Sequence, residues 1–97
     1  MNVIAILEGS FRPEVLAEAH ATLVSAVRET VAFPGCLGVE IIVDRDDPTR
    51  WIAYQRWESV EADAAYRAWR AGDGERADLA AFFAEPPILK TYDPVVF

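Results

Sequence analysis

The chain opens with five apolar side chains in a row, Val3 to Leu7, within the segment Asn2 to Glu8. An unbroken run of that length predicts a strand covered on both faces, here ended by Gly9 and Ser10. The period then becomes helical. Pro13 suits a first helical turn, and from Pro13 to about Val31 one stripe collects Leu16, His20, Leu23, Val24, Val27 and Val31. Pro34-Gly35 stops this helix. Alternation follows from Cys36 to Val43, then a polar turn, Asp44 to Pro48, then alternation again from Arg50 to Glu58. These two strands form a hairpin. In the second of them Trp51, Ala53, Gln55 and Trp57 share one face and Ile52, Tyr54 and Arg56 the other. Parity leaves open which of the two meets the helices.

Ser59 is placed to cap a second helix, with Glu61 and Asp63 in its acidic first turn and Ala62, Ala65, Tyr66 and Trp69 on one face. Gly72-Asp73-Gly74 breaks it. A short helical piece from about Glu75 to Ala84 presents Leu79, Phe82 and Phe83, Glu85-Pro86-Pro87 ends that piece, and Ile88 to Val95 reads as a last strand. The order β-α-β-β-α-β predicts a single α+β domain over residues 1–97, with a ferredoxin-like antiparallel sheet carrying both helices on one face. The other face should then be polar in a monomer. It is not, because the first strand is apolar on both parities, so a homodimer that buries the bare face is expected.

Composition sharpens this picture. With 97 residues, 53% of them hydrophobic and eleven aromatic, the apolar supply is rich for so small an interior. The formal net charge of −7 argues against nucleic-acid binding. The apolar start is too short for a signal peptide or a membrane span, and the single cysteine, Cys36, forms no intrachain disulfide, so a cytoplasmic protein without membrane contact is expected. Cys36 has no CxxC partner and reads as a structural thiol. One His and one Cys give no metal-ligand cluster, and Gly72-Asp73-Gly74 lacks the strand-to-helix setting of a phosphate loop.

The run Pro34-Gly35-Cys36-Leu37, then Asp46-Asp47-Pro48, then Arg56-Trp57-Glu58-Ser59 with Glu61-Ala62, and finally Glu85-Pro86-Pro87 before a strand, resembles the antibiotic biosynthesis monooxygenase family over nearly the whole chain. The resemblance implies a dimeric α+β barrel with a pocket between sheet and helices in each subunit. Some members of that family oxidise phenols or dihydroquinones with O2 and no cofactor, and others degrade haem. The haem-degrading pattern uses a first-strand Asn, a helix Trp and a later His. In this chain Asn2 stands at the very start of its strand, Tyr66 stands near the Trp position, and no His lies around Arg76. No cofactor is therefore expected.

The candidate catalytic residues are Trp57, Tyr66 and His20. Trp57 matches a cavity-lining Trp of the quinone-forming members, and as a residue by itself it reads equally as core. Tyr66 brings a hydroxyl that needs a partner when buried. His20 lies in the apolar stripe, where a hydrogen-bonded core histidine is the ordinary finding; facing a cavity, it would suit proton transfer. Trp69, Gln55, Phe82 and Phe83 are candidate substrate-binding residues. The expected function is cofactor-independent oxygenation of an electron-rich aromatic, a dihydroquinone or an anthrone-like phenol. The alternative is a non-catalytic dimer of the same fold, binding a small ligand or serving a stress or regulatory role; an isomerase or cyclase is a third reading.

Overall fold

The computed structural model describes residues 2–97. Four strands and three helices follow in the order β1 (Val3–Phe11), α1 (Leu16–Ala32, entered through a 3₁₀ turn at Pro13–Val15), β2 (Cys36–Val43), β3 (Arg50–Trp57), α2 (Val60–Arg70), α3 (Ala77–Ala80) and β4 (Phe83–Tyr92). The sheet order is β2-β3-β1-β4, with every neighbouring pair antiparallel. This is the ferredoxin-like α+β fold read from the hydrophobic periods.

The face question left open by parity is resolved by burial. Trp51, Ala53, Gln55 and Trp57 are all buried beneath the helices, beside Val3 and Ala5 of β1. The opposite face carries Ile4, Ile6, Ile42, Ile52, Tyr54, Ile88 and Tyr92, interspersed with Glu8, Glu40, Arg56 and Lys90. Ile42, Ile88 and Tyr92 are about half exposed there. Helix α2 begins as its residues dictate, the Ser59 hydroxyl accepting from the Ala62 amide at 3.1 Å. Gly35, at φ 89°, lies in the left-handed region that favours glycine, and a Cβ there would also run into Ala62.

Five local readings are corrected. Strand β1 does not end at Gly9-Ser10 but runs to Phe11. The helical piece expected over Glu75 to Ala84 is only the single turn Ala77–Ala80, and Phe83 already opens β4. Pro86 and Pro87 lie inside that strand, because β4 is an edge and the β1–β4 ladder shifts register between the Glu8–Ile88 and Ser10–Glu85 pairs. A proline without an N–H is tolerated at such a place. The strand ends at Tyr92 rather than Val95. On α1 the fully buried positions are Ala19, Leu23, Ala26 and Thr30, whereas Val24 and Val31 are half exposed. Small residues at the contact bring the helix close to the sheet, so the buried stripe is turned toward them.

Two apolar clusters hold the layers together. One joins Phe11, Ala19, Leu23, Trp51 and Ala53; the other joins Val3, Ala5, Trp57 and Tyr66. Between them lies the site.

Candidate active site

A cavity of about 370 Å³ opens between the sheet and the helices. Leu7, Trp51, Ala53 and Gln55 line it from the sheet, Leu23, Ala26 and Val27 from α1. Its polar groups gather where the helices converge: Thr30, Tyr66, Arg70, Glu75 and Arg76. The size suits a small flat molecule, and an apolar wall with a few convergent polar groups is the usual form of a small-ligand site. None of these lining residues is His, Cys or Met.

Arg70 organises the polar end. It sits four residues after Tyr66, one helical turn on, so both side chains project from the same face of α2. Its Nε donates to the Tyr66 hydroxyl at 2.8 Å. Nη2 donates to the Ala26 carbonyl at 2.8 Å and to Thr30 Oγ1 at 3.1 Å, and Nη1 reaches both Glu29 and the Gly74 carbonyl at 3.1 Å. Thr30 Oγ1 lies 2.7 Å from the Tyr66 hydroxyl and donates toward the Ala26 carbonyl at 3.1 Å. The phenol is thus fixed by a guanidinium from its own helix and a hydroxyl from α1. The planar fork of arginine serves α1, α2 and the Gly74 loop together, which a lysine ammonium would not.

Trp57 lies beneath this group. It is fully buried, and its ring packs 4.8 Å from that of Tyr66 at a tilt of 34°, with Phe33 edge-on to both. Its indole N–H donates to Gln55 Oε1 at 3.2 Å; that oxygen also accepts from Arg67, which is paired with Asp63 at 3.1 Å. Both contacts use the Gln55 oxygen, so the amide NH2 is the remaining polar group of this cavity-lining residue.

Of the residues singled out by sequence, the cavity brings together Tyr66, Gln55 and Phe83. Trp57 supports Tyr66 from below and does not line the space. Trp69 packs against Phe33, Tyr66 and the Arg70 guanidinium, and Phe82 packs on the Phe11 cluster. His20 is placed elsewhere. It lines a separate apolar groove of about 300 Å³ between α1 and β2, with Leu23, Val24, Val27, Arg28, Ile41 and Val43. Because the buried stripe of α1 is turned toward Ala19 and Ala26, His20 falls at its margin, edge-on to Phe11 at 6.0 Å. Sequence reasoning did not single out Thr30, Arg70 or Arg76. The four-residue step from Tyr66 to Arg70 was the available signal for one of them.

Charge steadies the same corner. Arg76 donates to Glu29 at 2.8 Å and to Asp78 at 2.9 Å. Hydrogen bonds from Arg76, then from Arg70, hold the Glu29 carboxyl below its ordinary value of 4.5. A carboxylate lowered on folding contributes stability above its unfolded pKa and loses it as pH falls through the folded value. The thermal midpoint should therefore drop as pH falls below about 4.5, and Glu29→Gln should flatten that acid slope. With 43% of the Glu29 side chain exposed, the contribution is on the order of 1 kcal/mol or less, measurable in melts across the acid range. Elsewhere, burial pushes the Cys36 thiol up toward its unreactive neutral form.

Among the described residues no three His, Cys, Asp or Glu side chains are grouped to hold a metal ion, and no helix is long and apolar enough to cross a membrane. The fold is shared with several solved structures. Rv0793 from Mycobacterium tuberculosis superposes with a TM-score of 0.83 at 20% identity, covering 100% of this chain and 98% of that one. A structure described as an antibiotic biosynthesis monooxygenase gives 0.84 at 19% identity, covering 97% and 99%. SnoaB, a cofactor-independent oxygenase from Streptomyces nogalater, gives 0.84 at 14% identity, covering 99% and 95%. No protein of curated function matches the chain by sequence. The family model for antibiotic biosynthesis monooxygenase matches residues 2–81, most of the chain, and the chain belongs to that family.

Proposed function

We propose that the chain is a cofactor-independent monooxygenase of an electron-rich aromatic, acting in the cavity between the sheet and the helices. The observation that carries this reading is the cavity's make-up: an apolar slot whose polar end presents a fixed phenol, Tyr66, and two guanidinium groups, Arg70 and Arg76. Cationic groups fixed in advance stabilise an anion as it develops. The chemistry needs such an anion, because O2 accepts an electron readily only from a deprotonated substrate. SnoaB, with the same fold, is described as a cofactor-independent oxygenase.

For an anthrone-like substrate the steps balance without an external reductant. Glu75, the carboxylate in the cavity wall, takes a proton from the activated CH2. The anion, stabilised by the fixed positive charges of Arg70 and Arg76, passes one electron to O2. Superoxide and the substrate radical combine at the same carbon, forming the C–O bond. Protonation gives a hydroperoxide, and loss of water breaks the O–O bond and leaves a ketone. One oxygen atom enters the product, the other leaves as water, and the substrate supplies all four electrons. His20 has no part in this scheme, since it lines a different groove. Trp57 is a positioning residue that holds the Tyr66 ring.

The molecule acts as a homodimer paired through its open sheet face, where half-exposed Ile42, Ile88 and Tyr92 would otherwise meet water. A monomeric mass in sedimentation equilibrium contradicts that pairing. The test of the activity is oxygen uptake with anthrone. Consumption of one O2 per anthraquinone formed supports the proposal, and binding of anthrone without uptake favours the non-catalytic ligand-binding dimer.

A further inference from the structure

The polar groups at the helical end of the cavity are spent on one another. Arg70 gives Nε to the Tyr66 hydroxyl, Nη1 to Glu29 and the Gly74 carbonyl, and Nη2 to the Ala26 carbonyl and Thr30. Thr30 donates to the Ala26 carbonyl, so the hydrogen bond between Thr30 and Tyr66 uses the proton of the phenol. Arg76 is drawn to Glu29, Asp78 and Ser25. This end supplies positive charge, but its donor groups already have acceptors.

Gln55, on the sheet floor, differs. Its amide oxygen accepts from the Trp57 indole at 3.2 Å and from Arg67. Both of those partners can only donate, which fixes the amide: the oxygen takes their side and the NH2 the other. Among the described residues Nε2 meets no acceptor, yet it is not sealed in. The fully enclosed side-chain atoms without a partner are His20 Nε2 and Trp51 Nε1, so Gln55 Nε2 keeps open surface. The residue as a whole is only 4% exposed, and the open space it lines is the cavity. Ala53, two residues earlier on the same strand face, lines that space with a bare methyl and leaves room for a ring beside the amide.

We infer that Gln55 is a specificity-determining residue of the cavity, its NH2 donating to a keto or oxyanion oxygen of a flat aromatic that lies over Ala53. The inference rests on the cavity being the ligand site and divides the work within it: the arginines supply charge and the amide supplies direction. Trp57 and Arg67 hold the amide in place before a ligand arrives, so the donor is preorganised.

Gln55 is the only glutamine of the chain, so 15N-glutamine labelling gives one NH2 group to follow. The test sets 9-fluorenone against fluorene, which differ only in the carbonyl, on the native protein and on Gln55→Glu. Glutamate keeps an oxygen for Trp57 and Arg67 but turns an acceptor toward the cavity in place of the donor. The ratio of fluorenone to fluorene affinity, measured by equilibrium dialysis, should fall at least about fivefold from native protein to variant. In the native protein fluorenone should move a Gln55 Nε2–H resonance further downfield than fluorene does. An unchanged ratio, or a Gln55 signal that answers both compounds alike, overturns the inference and leaves the cavity as the ligand site. Failure of both compounds to bind overturns the inference and the cavity reading together. Should Gln55→Glu not fold, the native-protein resonances decide the matter.

Discussion

Replacing Trp57 with alanine is expected to lower the unfolding free energy by about 3–5 kcal/mol, the ordinary cost of emptying a fully buried aromatic site. The context places it in the upper part of that range. Trp57 is fully buried, packs tilted against Tyr66 and edge-to-face with Phe33, and donates to Gln55. Its removal opens a void under the second core cluster and loosens the Gln55–Arg67–Asp63 chain. A domain of this size has only about 5–15 kcal/mol to lose, so chemical denaturation should show a variant that is marginal at room temperature. Trp57→Phe keeps an aromatic plane under Tyr66 and should recover much of the loss. A mild effect of the alanine variant would mean that Tyr66 does not depend on this ring.

Arg70→Met should cost about 2–4 kcal/mol and should also disable the site. Methionine approximates the aliphatic stem but supplies none of the donors that now reach Tyr66, Thr30, Ala26, Glu29 and Gly74. The Ala26 carbonyl would lose its strongest donor, and the Tyr66 ring would lose both a hydrogen bond and the guanidinium stacked 5.3 Å from its centre. Oxygen uptake with anthrone should fall by about a hundredfold, as when one preorganised donor to a developing anion is removed. Arg70→Lys separates charge from geometry. It can keep the Glu29 pair, but one ammonium cannot serve Tyr66, Ala26 and Gly74 together, so activity should stay low. Near-native activity in Arg70→Lys would show that charge alone is needed.

The fold was legible in the sequence because its signals are local. The unbroken apolar run of β1, the helical spacing of α1 and the alternation of β2 and β3 each report a periodicity that neighbouring residues settle among themselves. Where the outcome depended on distant partners, the reading failed. Pro86-Pro87 obeys a local rule against strands, yet edge position and a register shift accommodate it in β4. Val24 and Val31 belong to the hydrophobic stripe by type, but the sheet accepts the smaller Ala19, Ala26 and Thr30 at the contact. The same displacement moves His20 out of the cavity. Tyr66 stood out through its family position and its hydroxyl, but its partners could not. Thr30 and Arg70 meet it across 36 and four residues, and only the packed helices bring all three together.

If the space between sheet and helices is where substrate is bound and oxygenated, filling it should stop turnover. Ala26 lines the cavity from α1, so Ala26→Phe places a ring inside it without touching Tyr66, Arg70 or Glu75 in sequence. The measurement is anthrone oxidation by that variant, with circular dichroism and thermal melting alongside to confirm that it folds. The variant should fold with a melt lowered by overpacking at the α1–sheet contact, and its oxygen uptake should fall at least about tenfold. A folded Ala26→Phe protein that oxidises anthrone at the native rate would contradict that role for the cavity.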